Sequence, residues 1–160
     1  MATAVGAVLA RLQADPTFLA SLPGGAYDRP LSREGRGATP AAFDILNWLK
    51  VAVVVESGDE IGNARFPGAY RDQVTLHFYG PSDSTRKAMI VAAYERAVKL
   101  LKLANPDSPS DTTPWWYVND DGRRMFTEAH SATRIYDSEV FVGNSEKMAT
   151  FRFHGTRRAY

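Results

Sequence analysis

Hydrophobic and polar positions fall into two periods along the chain. Val5, Val8, Leu9 and Leu12 recur at helical spacing behind Thr3, a good N-cap. Asp15-Pro16 resets the chain, Asp15 as N-cap and Pro16 as first helical residue of a short turn carrying Phe18, Leu19 and Leu22. Pro23-Gly24-Gly25 stops it. From Tyr27 to Ala42 the pattern predicts a long irregular loop, and the whole non-periodic stretch covers about 23–42 as a flexible segment. Leu49 to Ser57, LKVAVVVES, reads as a strand covered on both faces or lying centrally. Residues 58–68, GDEIGNARFPG, read as a polar connection or hairpin excursion.

Tyr70 to Gly80 alternates cleanly, with Val74, Leu76 and Phe78 on one side and Gln73, Thr75, His77 and Tyr79 on the other. Ser82 or Ser84 can cap an amphipathic helix over about 84–103. Met89, Ala93, Ala97, Leu100 and Leu101 make its stripe, widened by Ile90 and Tyr94. An acidic loop, NPDSPSDTTP, leads to a short strand, WWYVND, that ends at an Asp-Asp-Gly turn. Neighbouring Trp115 and Trp116 cannot share a face, so one packs inward and the other meets a helix edge or a partner. Residues 123–144 read as strand material, best from Arg134 to Val142. A last strand places Ala149, Phe151 and Phe153 opposite Met148, Thr150, Arg152 and His154. The order α, β, β, α, β, β, β predicts an α+β fold. Its mainly antiparallel sheet packs against the 84–103 helix and the N-terminal helix, in one domain over residues 1–160.

Composition narrows the functions. Hydrophobic residues make up 44% and charged residues 23% of 160, ordinary for a globular chain. Nineteen basic residues against eighteen acidic ones give a net charge of +1, so no global field steers the chain onto DNA or an anionic membrane. With no cysteine, disulfides, thiolate catalysis and cysteine metal sites are excluded. No apolar run approaches the roughly 20 residues of a membrane-spanning helix. The first residues lack an early basic cluster, so they read as the first helix rather than a signal peptide.

Candidate chemistry thins out under the same scrutiny. Gly35-Arg36-Gly37-Ala38-Thr39 leads into Pro40, without the Gly-Lys-Ser/Thr of a phosphate loop, and the dinucleotide fingerprint is absent. His77, His130 and His154 share no metal-binding helix spacing and read as sheet-surface histidines, although His77 and His154 sit on strands able to adjoin. No Gly-x-Ser-x-Gly elbow is present. Asp107, Asp111, Asp120 and Asp121 read as solvated loop acids. The basic, aromatic end, FRFHGTRRAY, offers arginines to phosphates or to acids of a neighbouring subunit. Its alternation sends Phe151 and Phe153 to the core. These features predict no catalytic residue, no metal and no cofactor.

The elements together resemble the tail terminator proteins of long-tailed bacteriophages. The residues that carry the resemblance are VLARLQADPTFLASL, GGAYDRPL, LKVAVVVESGDE, RDQVTLHFYG and TRKAMIVAAYERAVKLL, over roughly Val5 to Leu101. It implies a non-enzymatic virion protein that caps the tail tube, stops its polymerisation and offers a joining surface to the head or neck. It also implies a homo-oligomeric ring, usually hexameric, at the head-proximal end of the tail, assembled in the host cytoplasm. The tail tube protein and a neck or head-completion protein are the implied partners. No membrane is involved, and nucleic acid enters only as DNA passing through the ring. Small neck and connector proteins resemble the chain at this level too, and a nucleic-acid-binding module is a further alternative. By region, the resemblance places Tyr27, Asp28 and Arg29 near a subunit contact and Arg65 and Phe66 in the excursion between strands. Trp116, Arg157 and Arg158 complete the set of interface candidates from their own chemistry.

Overall fold

Thr3 opens the first helix in the computed structural model, which describes residues 3–58, 61–62 and 70–155. Its hydroxyl accepts the Gly6 N–H at 3.0 Å, and α1 (Ala4–Gln13) buries Val8 and Leu12. The Asp15 carboxylate accepts the Phe18 N–H at 2.8 Å and starts α2 (Pro16–Ala20), with Pro16 in its first turn. The long helix α3 (Ser84–Lys102) begins at Asp83, whose Oδ1 accepts the Arg86 N–H at 2.9 Å. The cap is therefore neither Ser82 nor Ser84. A carboxylate is the stronger acceptor at the positive helix end, and the Ser82 hydroxyl is engaged elsewhere, donating to the Gly143 carbonyl. At the other end of α3, Arg11 donates to the carbonyls of Leu100, Leu103 and Ala104. One α1 side chain thus satisfies carbonyls that the helix leaves open.

The strands are β1 (Gly25–Tyr27), β2 (Ala52–Ser57), β3 (Ile61–Gly62), β4 (Tyr70–Pro81), β5 (Trp116–Val118), β6 (Arg124–Ala132), β7 (Tyr136–Asp137) and β8 (Asn144–Gly155). They form one sheet in the order β1-β2-β4-β8-β6-β5, with β3 added to β4 and β7 to β8. Every pairing is antiparallel except β1 with β2. The centre is the β4–β8 pair, in register from Tyr70 opposite Gly155 to Pro81 opposite Asn144. The expected α+β architecture is what the chain adopts.

One face of the sheet carries the main core. Val53 and Val55 of β2, Val74, Leu76 and Phe78 of β4, and Ala149, Phe151 and Phe153 of β8 meet Val8, Leu12, Phe18, Ile90, Ala93, Ala97 and Leu101 from the helices. The α3 stripe is centred on Ile90 rather than Met89, which is only half-buried. A second cluster lies on the opposite face at one end. There Ala52, Val54 and Tyr79 lie under Leu31, Ala42, Phe43 and Leu49. β2 is therefore covered on both faces, as its unbroken Val and Ala run requires.

Two segments depart from the sequence pattern. Residues 23–42 are not irregular throughout: Gly25–Tyr27 make β1 and Pro40–Ala42 a 3-10 turn. Thr39 is buried; its N–H donates to the Ser32 carbonyl at 2.7 Å, and its hydroxyl accepts the Ser32 N–H at 2.9 Å, closing the loop on itself. In the second segment, β6 occupies 124–132, whereas 134–142 contains only the two-residue β7. β6 hides its alternation behind a bulge between Thr127 and Ala129, which reverses the faces midway. Tyr136 and Ser138 instead turn their hydroxyls to Glu146, which leaves 138–143 free to run as a loop.

Candidate assembly surface

The most exposed apolar side chains gather on two turns. Phe43 and Leu49 bridge as antiparallel partners and hold a tight turn between them. The Asp44 carboxylate accepts the N–H groups of Leu46 and Trp48, both at 2.9 Å, and the Asp44 N–H donates to the Trp48 carbonyl at 2.8 Å. Asn47 takes φ 63°, the left-handed conformation that asparagine tolerates best after glycine. With its polar backbone satisfied inside, the turn points Ile45, Leu46 and Trp48 outward at 98%, 73% and 67% exposure. Residues 140–142 form the second projection, with Val140 and Val142 exposed on either side of half-buried Phe141. The Phe141 ring sits edge-on to Tyr79 at 5.1 Å, which fixes this loop to the sheet.

The two projections are neighbours. Phe141, Phe43, Asn47 and Leu31 line one hollow of about 550 Å³. A second hollow of about 470 Å³ lies beside Trp48, walled by Pro23, Lys50, Pro81, Asp83 and Arg86. Knobs flanked by hollows can interlock with another protein surface. Exposed apolar clusters on ordered turns are costly in water unless something covers them.

Of the residues named from sequence, those described lie on two sides of the sheet, Tyr27 packed against the second cluster and Trp116 on the far strand. Tyr27 is half-buried on β1, its hydroxyl donating to the Gly24 carbonyl at 2.7 Å. Burial pushes its phenol pKa up. Asp28 and Arg29 follow it, exposed, beside the outer side of β2. Trp116 stands at the opposite side of the sheet on β5, 40% exposed, with the Arg124 guanidinium 4.7 Å from its ring centre. Trp115 is the tryptophan that turns inward, against Tyr117 and Phe153, whereas Trp116 meets the Arg124 side chain of the adjacent strand. Arg65, Phe66, Arg157 and Arg158 lie outside the described residues. Ile45, Leu46, Trp48, Val140 and Val142 were missed. The signal within reach was Asp44 and Asn47 bracketing a short apolar run, a turn that cannot bury what it carries.

The candidate chemistry resolves into structural contacts. His77 lies opposite Met148, and His154 opposite Arg71, so the two histidines do not adjoin. His77 bridges Glu56 at 2.9 Å and Glu146 at 3.3 Å on the open face of the sheet. Glu146 also accepts from the hydroxyls of Tyr136 and Ser138, and burial beside that carboxylate raises the Tyr136 pKa. The group binds β2, β4, β7 and β8 together without an oriented nucleophile. Burial pushes the Tyr79 phenol up to about 12. His130 stacks on Phe151 and is held below its usual pKa by burial and by Lys102. Asp107 pairs with Arg96 at 2.7 Å, and Asp111 accepts the Thr113 N–H at 2.9 Å. Among the described residues, no three histidine, aspartate or glutamate side chains converge to hold a metal.

One solved protein chain shares the fold. The chain aligns with one in the solved virion of a native gene transfer agent particle at a TM-score of 0.52 and 16% identity. That alignment covers 96% of this chain and 95% of the other. A second solved chain aligns over 98% of this one and 96% of its own length, at a TM-score of 0.48 and 14% identity. No protein-family model matches the chain, and no curated protein does. At these identities the likeness is one of fold.

Proposed function

We propose that this chain is a non-enzymatic structural protein of a phage-like virion, and that its role is to terminate a tail. In this reading, copies close into a ring at the head-proximal end of the tail tube, halt its growth and present a face to the neck or head. The observation that carries the proposal is the pair of ordered turns that hold Ile45, Leu46, Trp48, Val140 and Val142 in solvent at one end of the sheet. That surface is built to be covered by protein. The near full-length likeness of fold to a gene transfer agent virion chain supplies the setting, and the sequence resemblance to tail terminators supplies the finer role. Single-domain organisation over residues 1–160 belongs to the same reading.

Light scattering across a concentration series, with negative-stain images and tail tube protein added, tests it. The expected result is a closed ring, formed alone or on the tube, and tubes of limited length. A strict monomer that ignores the tube and leaves its length unchanged would sink the terminator role.

A further inference from the structure

Among the described residues, the two margins of the sheet are both open, and they are unlike. β1 covers β2 only from Ala52 to Val54. The Gly24 N–H donates to the Val51 carbonyl at 2.8 Å, whereas the Gly58 N–H donates to the Gln73 carbonyl at 2.6 Å. Odd-numbered residues of β2 therefore turn their backbone polar groups outward, and even-numbered ones turn them to β4. Beyond Tyr27 the chain leaves the sheet. No backbone hydrogen bond among the described residues joins Asp28–Pro30 to Val55–Ser57. What remains is a groove of about 520 Å³ along this margin, with Val5, Asp28, Arg29, Pro30 and Glu56 in its walls. At the far margin β5 pairs with β6 alone. There Trp116 and Arg124 are exposed together, and Arg124 and Asp28 enter no ion pair among the described residues.

We propose that the β2 margin at Val55–Ser57 receives the β5 margin of a second copy, so that one sheet runs on into the next. The inference rests on the assembly reading above and names the contact it uses. An unpaired strand edge is a template for another strand, and main-chain hydrogen bonds supply the affinity. Charge favours this occupant: Asp28 and Glu56 outnumber Arg29 in the walls of one margin, and exposed Arg124 stands at the other. Because the margins differ, the contact is head-to-tail, the kind that closes into rings or runs on as filaments. Trp116 is then the aromatic anchor of the joint, and Asp28 and Arg29 are its receiving wall.

The cysteine-free chain makes the test clean. Ser57→Cys and Val118→Cys variants are made singly and also co-expressed, then treated with a short bis-maleimide. The expected result is a covalent dimer in the co-expressed sample and none in either variant alone. Ser57→Pro, which removes an outward N–H that β4 does not use, is expected to raise the assembly midpoint by about tenfold or more with its circular dichroism unchanged. Where that variant fails to fold, the cross-link decides. Oligomers without the mixed cross-link, or a cross-link within one variant alone, overturn the head-to-tail joint and leave the assembly reading standing. A chain that stays monomeric with and without tube protein overturns both.

Discussion

Arg96 ties α3 to the start of α2 and to the loop that follows α3. It donates to both oxygens of Asp15, at 2.9 and 3.0 Å, and reaches Asp107 at 2.7 and 3.0 Å. Asp15 is also the N-cap of α2, so one carboxylate serves two elements. Arg96→Ala is expected to cost about 1.5–3 kcal/mol, the range for hydrogen bonds to charged groups, read from the urea midpoint. Acid adds a second readout. The Arg96 hydrogen bonds hold the Asp15 and Asp107 pKa values below the usual aspartate value. The unfolded chain therefore binds more protons in the window below about pH 4. The stabilisation is fully present above that pH and is lost as pH falls through the lowered folded values. Arg96→Ala is expected to flatten this acid limb of the stability curve. An unchanged slope would show that Asp15 and Asp107 are not held low by Arg96. Deeper in, Phe153 is fully buried beneath Trp115 and Tyr117. Phe153→Ala is expected to remove about 3–5 kcal/mol in the same assay.

The entry to β1 leaves little room for a larger residue. A Cβ placed on Gly24 would meet the Val51 carbonyl at 2.8 Å and the Ala52 Cβ at 2.9 Å, both at the start of the neighbouring strand with little room to retreat. Gly24→Ala is expected to cost about 1–3 kcal/mol as an overpacking change and to loosen β1 first, visible as faster amide exchange at Ala26. What the sequence made legible follows from the same physics. β4, β8 and α3 carry long, uninterrupted periods and could be read directly. β1 is three residues long and opens on a glycine at φ 87°, too short and too permissive to show any period. The bulge at Glu128 hid β6, and residues 134–142 mimicked alternation while Tyr136 and Ser138 bonded to Glu146 instead. The site was less legible than the fold. Tyr27, Asp28, Arg29 and Trp116 lie on real margins, but the apolar turn at 44–48 was passed over. A short run of Ile, Leu and Trp looks like core until the backbone bonds that turn it outward are known.

At the scale of the whole molecule, the helices cover one sheet face and the 28–49 segment covers an end of the other. The apolar turns stand clear of both layers. Replacing Ile45, Leu46 and Trp48 together by serine is expected to leave the urea midpoint nearly unchanged, since exposed positions usually count for within about 0.5 kcal/mol each. Assembly, measured by light scattering and by tube length, is expected to be lost. A large fall in stability would mean that these side chains belong to the core of the subunit instead.

The place of β8 sets the timetable of folding. It lies between β4 and β6, and its partner Tyr70 must wait for Gly155. A chain emerging from the ribosome can form α1, α2 and α3, but its central strand pair cannot close until the last strand arrives. Pairings so distant along the chain fold slowly because loop closure precedes the gain. Until then β4 lacks its main partner, and the exposed turns meet no finished subunit. Completion of β8 therefore joins the two parts of the sheet, β1-β2-β4 on one side and β6-β5 on the other.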